Sequence, residues 1–262
     1  MGWLAETAGR KLARFLTKTV RQGTQVTTIS QEQLTETLQP GDVLLVEGDT
    51  RLSIPIKYLT QSTWSHAALY IGNALPSRES WQMPLTLIVA DLEEGVRAVS
   101  IAHYAHMHTR ICRPVGLSNE DREQVVDYAI KRIGQQYDLK NIFDLARYLF
   151  PMAPVPTRFR RRLLALGSGD PSRAICSTLI AQAFQSVHYP ILPEVKREWS
   201  NDPANADFYA EIYQIRHHSL YTPRDFDISP FFDIIKPTIE KGFDYHTIAW
   251  SNEPETTEQN NL

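Results

Sequence analysis

Cysteine is scarce in this chain: Cys112 and Cys176 are the only two in 262 residues. Two are too few for a disulfide framework, and a reducing, cytoplasmic compartment is the expectation. Near the N-terminus no continuous apolar segment reaches the length of a signal-peptide core or a membrane span, which supports the same expectation. Charge of one sign is lacking as well. The formal net charge is -3, and no basic stripe is interleaved with aromatics, so nucleic-acid binding is set aside. Neither a Gly-rich phosphate loop nor a dinucleotide fingerprint is found, and no cofactor is expected. What remains is a chain with 42% hydrophobic residues, long enough for one sizeable core.

Three regions follow from the pattern. Residues 1–35 hold an N-terminal amphipathic helix and linker: Trp3, Leu4, Leu12, Phe15, Leu16 and Val20 recur at helical spacing, and Arg10, Lys11, Arg14, Lys18 and Arg21 outnumber the single acid Glu6. Such a helix either packs on the domain with its basic side solvated or lies on an anionic membrane surface. Residues 36–235 form the main domain. Within it "PMAPVPTRFRRRLLALGSGDP", inside 151–171, reads as an insertion, either a solvated loop or a lid, with Arg158, Arg160, Arg161 and Arg162 beside Leu163, Leu164 and Leu166. Residues 236–262 are a C-terminal extension whose polar, acidic end is expected to be disordered.

Inside the main domain, "LQPGDVLLVEG" feeds a Pro-Gly turn into a strand over 43–46. Further strands are expected over 66–71, 85–90, 96–101 and 109–115, with "DLEEG" as a tight connection between the third and fourth. No long helical pattern separates these runs, so the expectation is an α+β fold with an antiparallel sheet of about five strands. A helix should follow Ser118, whose spacing to Asp121 suits a capping box, with Val126, Ala129, Ile130 and Ile133 on one face and Gly134 at its end.

"DPSRAICSTLIAQAFQSV" is the most informative stretch. Ile175, Leu179, Ile180, Ala183, Phe184 and Val187 give a helix with a broad buried face, which puts Cys176 in its first turn. Free backbone N–H groups and the helix dipole favour thiolate there, the form that attacks a carbonyl carbon. A small buried core cysteine is the competing reading. His66, in "TQSTWSHAALYIG", stands where a polar turn becomes an apolar strand. An imidazole so placed can deprotonate a thiol at a helix N-terminus and hold it as an ion pair, whatever the separation in sequence.

"LQPGDVLLVEG", "STWSHAALYIG", "IGQQYDL", "AICSTLIAQAF" and "YTPRDFDISPFF" occur in the order and with the residue types of a known family. Over residues 38–232 the chain resembles the permuted papain-like cysteine hydrolases, the YiiX/YebB-like branch of the NlpC superfamily, with lecithin:retinol acyltransferase-like enzymes as more distant relatives. The resemblance implies a circularly permuted papain-like fold in which the histidine strand precedes the cysteine helix. It implies Cys176 as nucleophile and His66 as general base.

Relatives carry an acid or another polar residue on the strand after the histidine strand, to orient the imidazole. The corresponding strand here has no Glu, and Asp91 is the first choice, although it could equally start the hairpin turn. Tyr137 in "GQQYD" matches a tyrosine that recurs near the active site of relatives, for lining the acyl pocket or donating to the oxyanion, or else is a half-buried aromatic. The backbone N–H of Cys176 is the more dependable oxyanion donor. "HYAHMHTR" brings His103, His106 and His108 close in sequence, but their spacing fits no closed helical pair and no Glu stands where a metalloprotease needs one, so a half-exposed loop and no metal site are expected.

The expected activity is that of a thiol hydrolase or acyltransferase cleaving an amide, ester or thioester through an acyl-Cys176 intermediate. The partner would be an acyl-containing small molecule or lipid, with peripheral contact to an anionic membrane. The alternatives are a peptidase or amidase acting on cell-wall-type or other peptides, and a non-catalytic lipid- or peptide-binding module of the same fold. A reactive Cys176 separates the enzymes from the module.

Overall fold

The computed structural model describes residues 14–20, 27, 29–76, 83–91, 93–136, 175–199 and 209–247. Most of the N-terminal helix, Tyr137, the Arg-rich insertion and the acidic tail lie outside them. The sheet consists of β1 (Val43–Val46), β2 (His66–Tyr70), β3 (Leu87–Asp91), β4 (Gly95–Val99), β5 (Thr109–Pro114) and β8 (Phe232–Ile235), in the order β4-β3-β2-β1-β5-β8. Every pairing is antiparallel. A separate antiparallel pair joins β6 (Glu194–Trp199) to β7 (Tyr209–Gln214). The helices are α1 (Gln31–Thr37), α2 (Ser53–Thr60), α3 (Asn119–Ile130), α4 (Ile175–Gln185), α5 (Pro223–Asp227) and α6 (Pro237–Glu240).

The strands read as unbroken apolar runs because both faces of the sheet are covered, and successive side chains feed two cores. Val43, Leu45, Ala67, Leu69, Ile88 and Ala90 pack with Val125, Ala129, Leu179, Ile180 and Phe184 of α3 and α4. Leu44, Val46, Ala68, Tyr70, Leu87 and Val89 turn to the other face, where Leu34 of α1 and Tyr104 lie.

The expected strands are found within two residues of their expected limits. The fourth stops at Val99 because Ile101–His103 winds into a 3-10 turn. A sixth strand, β8, comes from the apolar run after Pro230 and extends the sheet beyond β5. At the start of α3 the Ser118 hydroxyl accepts from the Asp121 N–H at 3.0 Å, as expected. The buried face of α3 is Val125, Val126 and Ala129, however, and Ile133 is exposed. The α-helix has ended at Ile130, and the following turn leads to Gly134 with φ +88°, so Ile133 is off the helical face.

One buried ion pair fixes how the chain enters β1. Asp42 is 1% exposed and takes Arg113 Nε at 3.0 Å, Arg113 Nη2 at 2.8 Å and the Gln39 N–H at 2.8 Å, while Arg113 also donates to the Thr37 carbonyl. Burial pushes the Asp42 carboxyl up in spite of the guanidinium, so the ion pair exists against a desolvation cost. Asp42→Ala leaves that guanidinium without its partner and should cost about 2–4 kcal/mol, somewhat below a fully buried pair because Arg113 keeps some solvent contact. Urea unfolding of the variant measures this.

Candidate active site

His66 opens β2 at the place where that strand parts from β3. The β2–β3 ladder covers only Leu69↔Ile88 and Tyr70↔Leu87. On that side of the strand the Ile71 N–H is taken by the Thr86 carbonyl at 2.8 Å. The Ala67 N–H, pointing the same way four residues earlier, is turned instead towards the sulfur of Cys176 and favours its thiolate. Helix α4 packs over β2 and β3, so its first turn drops the thiol into the slot left between the two strands.

There the sulfur meets the imidazole. Cys176 and His66 are close enough to act on each other's charge, and the Ser177 hydroxyl lies 3.9 Å from the sulfur. Burial works against charge on both groups, but their mutual attraction outweighs it. The Cys176 thiol is held below the ordinary thiol value and the His66 imidazole above the ordinary imidazole value. Opposite shifts of this sign favour a thiolate–imidazolium pair. Cys176 is 4% exposed, and the exposed part faces a cavity of about 310 Å³.

Asp91, the last residue of β3, lines the same cavity. Its Oδ1 accepts the N–H groups of Glu93 and Glu94 at 3.0 and 2.7 Å, and its Oδ2 accepts from Arg97 Nε at 2.9 Å. These are the hydrogen bonds of a hairpin turn. What reaches His66 is the negative charge of Asp91, which favours the imidazolium, opposed by the charge of Arg97. Asp91→Asn keeps a turn acceptor and removes that charge. Turnover should fall about three- to tenfold, and the basic limb of its pH profile should move to lower pH as His66 loses support. A pH–rate profile of the variant measures both.

The β3–β4 turn is pinned from outside. Gly95 has φ +71°, and a Cβ there would lie 2.2 Å from the Gln135 carbonyl oxygen, so only glycine lets the chain after α3 come this close. The Val96 N–H donates to Gln135 O, the Gly134 N–H to Val96 O and Gln136 Nε2 to Glu94 O. These are the last described residues before Tyr137, whose own position lies outside the described residues.

Other parts of the cavity carried weaker sequence signals. Tyr104 lies with its ring centroid 5.8 Å from that of His66 and is buried, which pushes its phenol up. His103 lines the rim, edge-on to Tyr104 at 4.7 Å. Burial and the charges of Arg97, His66 and His106 hold its imidazole below the ordinary value, so it stays neutral where His66 is charged. The stretch "HYAHMHTR" begins at the end of the 3-10 turn Ile101–His103 and continues over 104–108 as a partly exposed loop, and His103 and Tyr104 belong to the cavity wall. Thr17 lines the cavity too, donating to Glu93 at 2.9 Å across it. A histidine at a strand end could be picked out by eye, whereas these residues meet it only through the fold. Among the described residues, no three His, Cys, Asp or Glu side chains are grouped to hold a metal, and no helix is long and apolar enough to cross a membrane.

The sequence profile of one family matches residues 37–150: permuted papain-like amidase enzymes, YaeF/YiiX, C92 family. That span includes His66, Asp91 and Tyr137 and stops short of Cys176. No match was found among curated proteins. Among solved structures, the chain is similar to the crystal structure of the metalloprotein YiiX from Escherichia coli O157:H7, at 14% identity and a TM-score of 0.39, covering 76% of this chain and 96% of that one. The chain has an antiparallel sheet packed against helices and carries over residues 37–150 the pattern of the permuted papain-like amidases, which supports reading it as a cysteine hydrolase or amidase.

Proposed function

We propose that the chain cleaves an amide or ester of a lipid-like acyl group through an acyl-Cys176 intermediate, with water or a second acceptor completing the turnover. The observation that carries this reading is that Cys176 and His66 line one cavity, each shifting the other towards thiolate and imidazolium. The thiolate attacks the carbonyl carbon, and the developing oxyanion is met by the backbone N–H of Cys176. The His66 imidazolium gives its proton to the leaving nitrogen or oxygen as the carbon–heteroatom bond breaks, leaving a thioester. Neutral His66 then takes a proton from water as its oxygen attacks the thioester, the thiolate departs, and the free acid is released. Asp91 supports the charged imidazole at each stage at which it carries the proton.

Val46, Leu52, Ile56, Ala90 and Met107 give the cavity an apolar wall suited to an acyl chain. A second reading, peptide or other amide substrates, is favoured by the amidase description of the matching family. Turnover of a matched panel of fatty-acyl amides, fatty-acyl esters and short peptide amides separates the two. Adducts on Cys176 from long-chain acyl donors are the expected result. Adducts from short peptide donors alone would overturn the lipid part and favour peptidase chemistry.

A further inference from the structure

One wall of the cavity has an outer side that the reaction does not use. The helical turn at 14–17 and the residues after it are stitched to the loop before α2. Leu52 N–H donates to Leu16 O, Arg51 N–H to Lys18 O and Val20 N–H to Asp49 O, and Thr19 bridges Thr50. Leu16 is fully buried beneath this seam, and Thr17, Leu52, Ser53 and Ile56 face inwards to line the cavity. Their immediate neighbours face out: Phe15 is 53% exposed, Val20 48%, Ile54 56% and Tyr58 47%. Ile54 and Tyr58 are one turn apart on α2 and share a side of it.

Cations border this apolar ridge. Arg14 and Lys18 are exposed within the segment, and the Arg51 guanidinium sits 4.0 Å above the Phe15 ring. The acids nearby are turned to other work. Glu47 pairs with Lys57 at 3.0 Å, while Asp49 and Glu93 line the cavity, Glu93 accepting from Thr17. Exposed aliphatic and aromatic side chains bordered by long cationic ones are the composition of a face that inserts shallowly into a bilayer, its cations at the level of the phosphates.

We propose that this outer wall, Phe15, Val20, Ile54 and Tyr58 with Arg14, Lys18 and Arg51, docks on an anionic lipid bilayer. Docked in this way, the residues that meet lipid are close in the chain to Thr17, Leu52 and Ile56, which line the cavity. This extends the reading of the site as an acyl hydrolase to the surface that presents the acyl donor, and rests on it only for that purpose.

The test uses the full chain carrying Cys176→Ala, so that catalysis plays no part, in co-sedimentation with vesicles of phosphatidylcholine alone or mixed with phosphatidylserine. The expected result is binding to the mixed vesicles at low salt that weakens at high salt and is weak on phosphatidylcholine. Adding Phe15→Ser and Ile54→Ser should lower partitioning about tenfold, since two inserted side chains are removed. Adding Arg14→Gln and Lys18→Gln should instead abolish the preference for phosphatidylserine. All four positions are exposed, and circular dichroism verifies that the variants fold. Absence of binding by the parent at low salt overturns the proposal, as does equal binding by the parent and the Phe15→Ser, Ile54→Ser variant. Binding as expected without any Cys176-dependent turnover in the wild type would remove the hydrolase reading and leave the docking surface standing.

Discussion

Cys176→Ala is expected to remove turnover while the protein still folds. The sulfur lies at the start of α4, lines the cavity and is favoured as thiolate by His66 and the Ala67 N–H. Removing a nucleophile from a unit of this kind lowers the rate by about 10³-fold or more, because the remaining groups only bind and polarise the substrate. The structural cost is small by comparison. Alanine suits a helix, and the site loses one sulfur atom at the edge of the core, for about 1 kcal/mol. Turnover and thermal unfolding measured on the same preparation separate the two effects. A variant that folds and retains acyl transfer would place the chemistry elsewhere.

His66→Ala should come second in size, at about 10²–10⁴-fold in turnover, the range for losing a positioned acid–base group. The wild-type pH profile shows why the imidazole matters. Activity should rise with pH as Cys176 loses its proton, below the ordinary thiol range because His66 stabilises the thiolate. It should fall again as the imidazolium loses its proton, above the ordinary imidazole range because Cys176 and Asp91 support the charge. In the His66→Ala protein the descending limb disappears, since nothing is left to protonate the leaving group. The ascending limb moves to higher pH, since burial now acts on the thiol unopposed by an imidazolium.

Much of this site was legible in the residues themselves. An apolar strand that begins with histidine, and a helix that begins with cysteine and buries Leu179, Ile180, Ala183 and Phe184, are local patterns, and the structure brings the two ends together. The antiparallel sheet followed from the short connections between runs. The other parts depend on register and long-range contact. Asp91 stood out as a carboxylate at a strand end. That its oxygens bond Glu93, Glu94 and Arg97, and that its charge is what reaches His66, depends on the conformation of the β3–β4 turn. The spacing of His103 fits no metal site, yet a 3-10 turn sets it on the cavity rim. Thr17 joins the cavity through backbone pairing with residues 49–52, far away in sequence and unmarked by any periodicity. The slot between β2 and β3 that admits the sulfur comes from a ladder two pairs long, which no single-strand pattern encodes.

The most direct measurement of the central claim is the rate at which iodoacetamide alkylates Cys176 as a function of pH, followed by peptide mass spectrometry, in the wild type and in His66→Ala. Cys112 provides an internal control, because it is fully buried in β5 and burial pushes its thiol well up. In the wild type, Cys176 should react at neutral pH, with a midpoint below the ordinary thiol value, while Cys112 stays unmodified. In His66→Ala the midpoint should move to higher pH and the rate at neutral pH should fall by about tenfold or more, as expected when an ion pair no longer holds the thiolate. Superimposable profiles for the two proteins would contradict the account, because they would show that the imidazole does nothing for the sulfur beside it.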